Sequence, residues 1–160
     1  MSAGETRGES SGETTVCEFF DELITDWQST RKVDEFSFQN LIGEDIGIAS
    51  DTVLKQTICN LLDNALEASP EWVSLEVLMQ NNILIVRIVD QGPGFTSEIL
   101  SRLGQPYQTT KGLSGSGLGL FFVFNVARIL GGKVDVRNRQ EGGAEINLCL
   151  PLDTLRLKEA

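Results

Sequence analysis

A chain of 160 residues, 41% hydrophobic and 22% charged, is sized for one domain around a single core. Its 23 acidic against 13 basic residues give a formal charge of −10 with no basic cluster, which argues against nucleic acid as a partner, since that binding needs Lys and Arg on phosphates. No run approaches ~18 consecutive apolar residues and nothing reads as a signal peptide, so the expectation is a cytoplasmic domain with no membrane contact of its own.

The chain contains no histidine. Imidazole acid–base chemistry and His-based metal ligation are therefore excluded within it. Cys17, Cys59 and Cys149 lie far apart without metal-ligand spacing, and read as small packing residues in a reduced setting.

Residues 1–16 are rich in Gly, Ser, Thr and Glu and read as a flexible tail. Phe19, Phe20, Leu23, Ile24 and Trp27 recur at helical spacing, which predicts an amphipathic helix over 18–29. Two short extended segments follow, "VDEFSFQN" and "EDIGIAS". Ser50 or Asp51 can cap a second helix over 51–68, and Pro70 stops it. Two alternating strands come next, Val73 to Met79 and Ile83 to Asp90, with Asn81-Asn82 as the hairpin turn. A short helix after Thr96 leads into a glycine-rich stretch over 104–116 with no apolar period. A third strong helix over 116–130 is apolar through Leu118, Phe121, Phe122, Val126 and Leu130, and closes at Gly131-Gly132. Strands "KVDVRN" and "AEINLCLP" complete the domain near residue 152, and 153–160 read as a tail. One-sided strands in hairpin order, with helices to cover them, describe a two-layer α/β sandwich.

Three stretches carry chemistry. In "NLLDNALEAS", Asn60 and Asn64 are four apart and Glu67 follows Asn64 by three, so all three share one strip of the second helix. That strip is either a polar edge touching solvent or a ligand-binding face. In "DQGPGF", Asp90 ends a buried strand and meets Gly92-Pro93-Gly94. This is a tight turn in its plainest reading. In its functional reading, the carboxylate accepts the exocyclic amine of adenine while the glycines admit the base against the main chain. In "TTKGLSGSGLGL", Gly115, Gly117 and Gly119 run into a helix N-terminus, which is either a capped loop or a phosphate cradle of unpaired amides. It is not a P-loop, and the missing third glycine of G-x-G-x-x-G excludes a Rossmann fingerprint.

N-x-x-x-N, then D-x-G-x-G about 26 residues on, then G-x-G-x-G, together resemble the Bergerat-type ATP-binding fold of gyrase, chaperone, mismatch-repair and histidine-kinase ATPases. The resemblance covers roughly residues 18–152. It implies a mixed, mostly antiparallel five-stranded sheet with about three helices on one face, and a lid between the last two motifs. It implies Asn64 as Mg2+ ligand, Asp90 as the adenine carboxylate, and Gly92 and Gly94 as the adenine turn. Gly115, Ser116, Gly117, Leu118 and Gly119 would form the phosphate cradle, with the lid residues Tyr107, Thr109, Thr110 and Lys111 beside it. Lys111 would contact the β- or γ-phosphate or face solvent. Tyr107 would pack lid to core or stack near the nucleotide. Glu67 would stand behind the metal or be a solvated edge.

Position 60 separates branches of that family. Hydrolysing members carry a Glu one turn before the Mg2+ Asn as general base. Asn60 is an amide that takes no proton near neutral pH, and it would assist through the ion or a bound water. With "QPYQTTK" and "GSGLGLFFVFNVARILGGKVDV", the sequence resembles the catalytic and ATP-binding domain of a two-component sensor histidine kinase; "AGETRGE" and "FFDELITDWQSTR" more faintly resemble the RegB/PrrB type. The resemblance implies ATP and Mg2+ as cofactors and an upstream dimerisation domain bearing the phosphoacceptor histidine. It also implies a response-regulator receiver as downstream partner, a membrane-anchored parent protein and a monomeric isolated domain. A serine-kinase or anti-sigma-type regulator on the same fold, and a nucleotide-sensing module without transfer, remain open alternatives.

Overall fold

The computed structural model describes residues 12–103 and 116–156, with Leu103 and residues 116–121 described through their backbone. The first strand, β1 (Glu13–Thr15), pairs antiparallel with β3 (Gly47–Ala49) in a two-stranded ribbon. The main sheet has five strands in the order β2 (Glu35–Asn40), β4 (Trp72–Gln80), β5 (Ile83–Asp90), β7 (Ala144–Pro151), β6 (Lys133–Asn138). β2 runs parallel to β4 and every other pairing is antiparallel, so the sheet is mixed as expected.

Alternation along the strands decides which face is covered. Phe38, Leu75, Ile88, Ile146 and Val136 stand in one row across all five strands. The neighbouring row is Gln39, Glu76, Arg87, Asn147 and Asp135. The apolar rows go under the helices, and the polar rows form the opposite face, where Arg87 donates to Asn147 and Glu76.

Helix α1 (Val16–Thr30) lays Phe20, Leu23 and Trp27 into the core. Helix α2 (Thr52–Ala68) contributes Leu54, Ile58, Leu61, Leu62 and Ala65. Its N-cap is Asp51, whose Oδ1 accepts from the amides of Val53 at 2.8 Å and Leu54 at 3.2 Å. The two helices are latched by Asp63, which accepts from the Trp27 indole at 2.9 Å and from Arg31 Nε and Nη2 at 2.8 and 2.9 Å. A short helix α3 (Ser97–Leu103) and a longer α4 (Ser116–Ile129) follow the D-x-G-x-G turn, and α5 (Leu152–Leu155) is the last helix among the described residues.

Three expectations need correction. Residues 13–15 do not belong to a tail: their backbone pairs with β3, and Thr15 caps α1 by accepting from Glu18 N. Residues 153–156 of the expected C-terminal tail are also structured, since Leu155 is buried and Arg156 bridges to Ile48. In α4 the buried stripe runs through Val123, Val126 and Ala127, while Phe122 is exposed. The Asn81-Asn82 turn is as read, both residues having positive φ, at 53° and 63°.

Candidate functional site

Period-two alternation places Asp90 on the same sheet face as Val86 and Ile88, beneath the C-terminal end of α2. Asn64 lies on that end of the helix. Both line one cavity of about 360 Å3. From α2 come Asn64, Ala65, Glu67 and Ala68; from the turn after β5 come Pro93, Gly94, Phe95 and Thr96; Ile99 of α3 and Ala144 and Ile146 of β7 close it. The lining is thus mostly apolar, with the Asn64 amide and the Asp90 and Glu67 carboxylates set into it.

Asp90 is only 6% exposed. Burial raises its pKa above the ordinary aspartate value, against the pull of the Gly92 and Ala144 amides and the Arg139 charge. Its Oδ1 accepts from Gly92 N at 2.8 Å. A side chain at position 92 would put its Cβ 2.4 Å from the Ala68 carbonyl oxygen, so helix and turn approach here as only glycine permits. Gly94 has φ of +82°, and a Cβ there would sit 2.7 Å from Asn138 Oδ1.

Asn64 Nδ2 is buried and has no hydrogen-bond partner among the described residues. An unpaired buried amide costs about 1–3 kcal/mol, and such a group marks a place completed by water, an ion or a ligand. Glu67 is exposed and joins the cavity lining. Asn60 is half-buried one turn earlier on α2 and is not part of the described lining. Among the described residues there is no group of three or more His, Cys, Asp or Glu that could hold a metal. Tyr107, Thr109, Thr110, Lys111 and Gly115, with residues 104–115 of the expected lid over 104–116, lie outside the described residues. Ser116, Gly117, Leu118 and Gly119 form the first turn of α4.

Sequence reasoning missed the groups that hold the turn. Asn138 Oδ1 accepts from Phe95 N at 2.8 Å and its Nδ2 donates to Phe95 O at 2.9 Å. Arg139 Nη1 donates to Asp90 O at 3.3 Å and to Gly142 O at 3.2 Å. The buried Ser69 donates to Trp72 O and accepts from Gln91 N. The groups that bind Asp90, Gln91 and Phe95 come from 22 to 49 residues away in the chain, and no local pattern announces them.

Residues 49–154 match the family described as histidine kinase-, DNA gyrase B- and HSP90-like ATPase. The chain belongs to this ATPase family. Among its relatives, the sensor protein CreC of Escherichia coli is 36% identical over 107 residues, covering 64% of this chain and 23% of that protein. The C4-dicarboxylate transport sensor protein DctB of Pseudomonas aeruginosa is 39% identical over 110 residues, covering 64% and 18%. The chain therefore spans less than a quarter of these relatives. The nucleotide-free catalytic domain of histidine kinase ThkA aligns with a TM-score of 0.71 at 26% identity, over 89% of this chain and 97% of that one. The cavity lies within the matched region of this ATPase domain, between α2 and the end of β5.

Proposed function

We propose that this chain binds Mg-ATP in the Asn64–Asp90 cavity and donates the γ-phosphoryl to a histidine on a dimerisation segment outside it, as the catalytic part of a two-component sensor kinase. One observation carries the reading: a buried carboxylate and a buried, partnerless amide converge on one apolar cavity in a domain of this ATPase family.

Asp90 accepts the exocyclic amine of adenine. The base slides against Gly94 and stacks over the apolar lining of Ala65, Ile99 and Ile146. Asn64 suits Mg2+ because its amide carries a hard oxygen donor on the cavity wall. Bound there, the ion would neutralise charge on the phosphates. The amides at the start of α4 hold the phosphates, with Lys111, Thr109 and Thr110 from the lid and Tyr107 against the nucleotide. Asn60 offers no carboxylate to activate water, so the neutral imidazole of the acceptor is the nucleophile. It attacks the γ-phosphorus in line, an N–P bond forms, the bridging O–P bond breaks, and ADP leaves. The protein contributes positioning and charge neutralisation. The phosphoryl then passes to a response regulator, and the parent protein is a membrane-anchored sensor.

The test is reconstitution. With a histidine-bearing dimerisation segment and labelled ATP, the chain should give an acid-labile phosphoprotein, dependent on Asp90 and Asn64. An acid-stable product would point to a serine kinase, and nucleotide binding without any transfer to a sensing module.

A further inference from the structure

The hexapeptide from Asp90 to Phe95 has no regular structure after Asp90, yet it supplies much of the cavity wall. Its order comes from elsewhere. At its start, Asp90 O accepts from Arg139, and the backbone of Gly143 presses so close that a Cβ there would fall 1.9 Å from that oxygen. At its end, the Asn138 amide binds both the N–H and the carbonyl of Phe95. Gly94 lies over the same amide. The tip of the β6–β7 hairpin thus grips the turn at both ends.

We propose that Asn138, with Arg139 beside it, is a positioning residue of the nucleotide site, the hairpin tip acting as a template that holds the base-binding turn open before the nucleotide arrives. The inference rests on the nucleotide reading above. Asn138 does not line the cavity, and among the described residues its side-chain amide reaches the turn through Phe95 while its backbone pairs with Ala144 of β7. Its contribution is pre-organisation: without it, the loop must be ordered at the moment of binding and the affinity falls. The amide geometry matters because one side chain supplies both a donor and an acceptor to a single peptide unit. An Asp keeps the acceptor and sets a second oxygen against the Phe95 carbonyl.

The experiment is calorimetric titration of adenosine and of ADP, with and without Mg2+, into the wild-type chain and the Asn138→Ala and Asn138→Asp variants. Amide hydrogen exchange at Phe95 is followed in parallel. Thr154→Ala, which removes a side-chain bond to Leu130 O far from the turn, is the control for loss of a surface hydrogen bond. For Asn138→Ala the expected loss of affinity is about tenfold, equal for adenosine and ADP and independent of Mg2+. The Phe95 amide should lose protection in the free variant and regain it at saturating ADP. Asn138→Asp should weaken binding too, and it carries the test if the alanine variant does not fold. Affinity within twofold of wild type in the folded variants, or an equal loss in Thr154→Ala, would overturn the assignment. A wild-type chain that binds neither ligand would instead refute the nucleotide reading itself.

Discussion

Replacing Asp90 by Asn separates binding from stability, because the two should move in different directions. In the folded chain burial raises the Asp90 pKa, so the ionised form is disfavoured in the fold relative to the unfolded chain. The sign follows. As pH rises past the ordinary aspartate value, about 3.9, the unfolded chain ionises first and stability falls until the raised folded value is reached. At neutral pH the whole penalty is present, and an uncharged Asn does not carry it. The amide oxygen can still accept from Gly92 N, so the turn keeps its internal bond, and the Ala144 amide that also holds the carboxylate is the one contact exchanged against the relief of burial. The NH2 group then occupies the place of the second carboxylate oxygen and faces the donor amine of the base. A hydrogen bond to a charged group is worth about 1.5–3 kcal/mol, which converts to a loss of roughly 10- to 150-fold in ADP affinity. Calorimetry and a thermal melt of the same sample read both quantities. The expected result is weakened ADP binding with an apo Tm equal to or above wild type. Unchanged affinity, or a Tm drop that accounts for the loss, would refute the placement of the base against Asp90.

Asn64→Ala should abolish the Mg2+-dependent part of ATP affinity and leave adenosine binding near wild type; equal loss with and without metal would mean damaged packing instead. Asp63→Ala strands the N–H of Trp27, a residue 1% exposed, and should cost about 1–3 kcal/mol in urea melts, the half-exposed Arg31 pair adding little. Asp63→Asn retains an acceptor for the indole and should cost less. Burial opposes the charge of Glu145, but Asn147 and Arg137 together with the Arg87 charge win and hold its pKa below the ordinary glutamate value. Its contribution is therefore complete above about pH 4.3, the unfolded value, and is lost as pH falls through the lowered folded value. Glu145→Gln should flatten that acid limb of stability against pH; an unchanged limb would show that the network on the open sheet face contributes nothing there.

What the sequence disclosed was local. Helix α2 could be read because Asp51, its apolar period and Pro70 mark its start, face and stop within one stretch. The β4–β5 hairpin could be read because two adjacent Asn residues accept positive φ. The shared cavity of Asn64 and Asp90 was implied by the resemblance of the three motifs to an ATP-binding family, which assigns both residues to one nucleotide; the periodicity of either segment alone does not bring them together. The β1–β3 ribbon was hidden because main-chain bonds, not a side-chain pattern, make it in a stretch of Glu and Thr. The last turn was hidden because Leu152 and Leu155 are too few to show a period, though both are buried. The grip of Asn138 and Arg139 on the turn was invisible for a different reason. A polar residue at the end of a strand looks the same whether it faces water or binds a peptide unit 43 residues away.

The central claim is that magnesium-bound adenine nucleotide occupies the cavity between Asn64 and Asp90. Nitrogen-labelled protein titrated with Mg-ATP tests it most directly, through the Asn64 side-chain amide and the backbone amides of Gly92 and Gly94. These three signals should shift together and saturate at one affinity, with the Asn64 signal alone losing its shift when Mg2+ is chelated. Saturating Mg-ATP that leaves all three unmoved, while signals elsewhere respond, would contradict it.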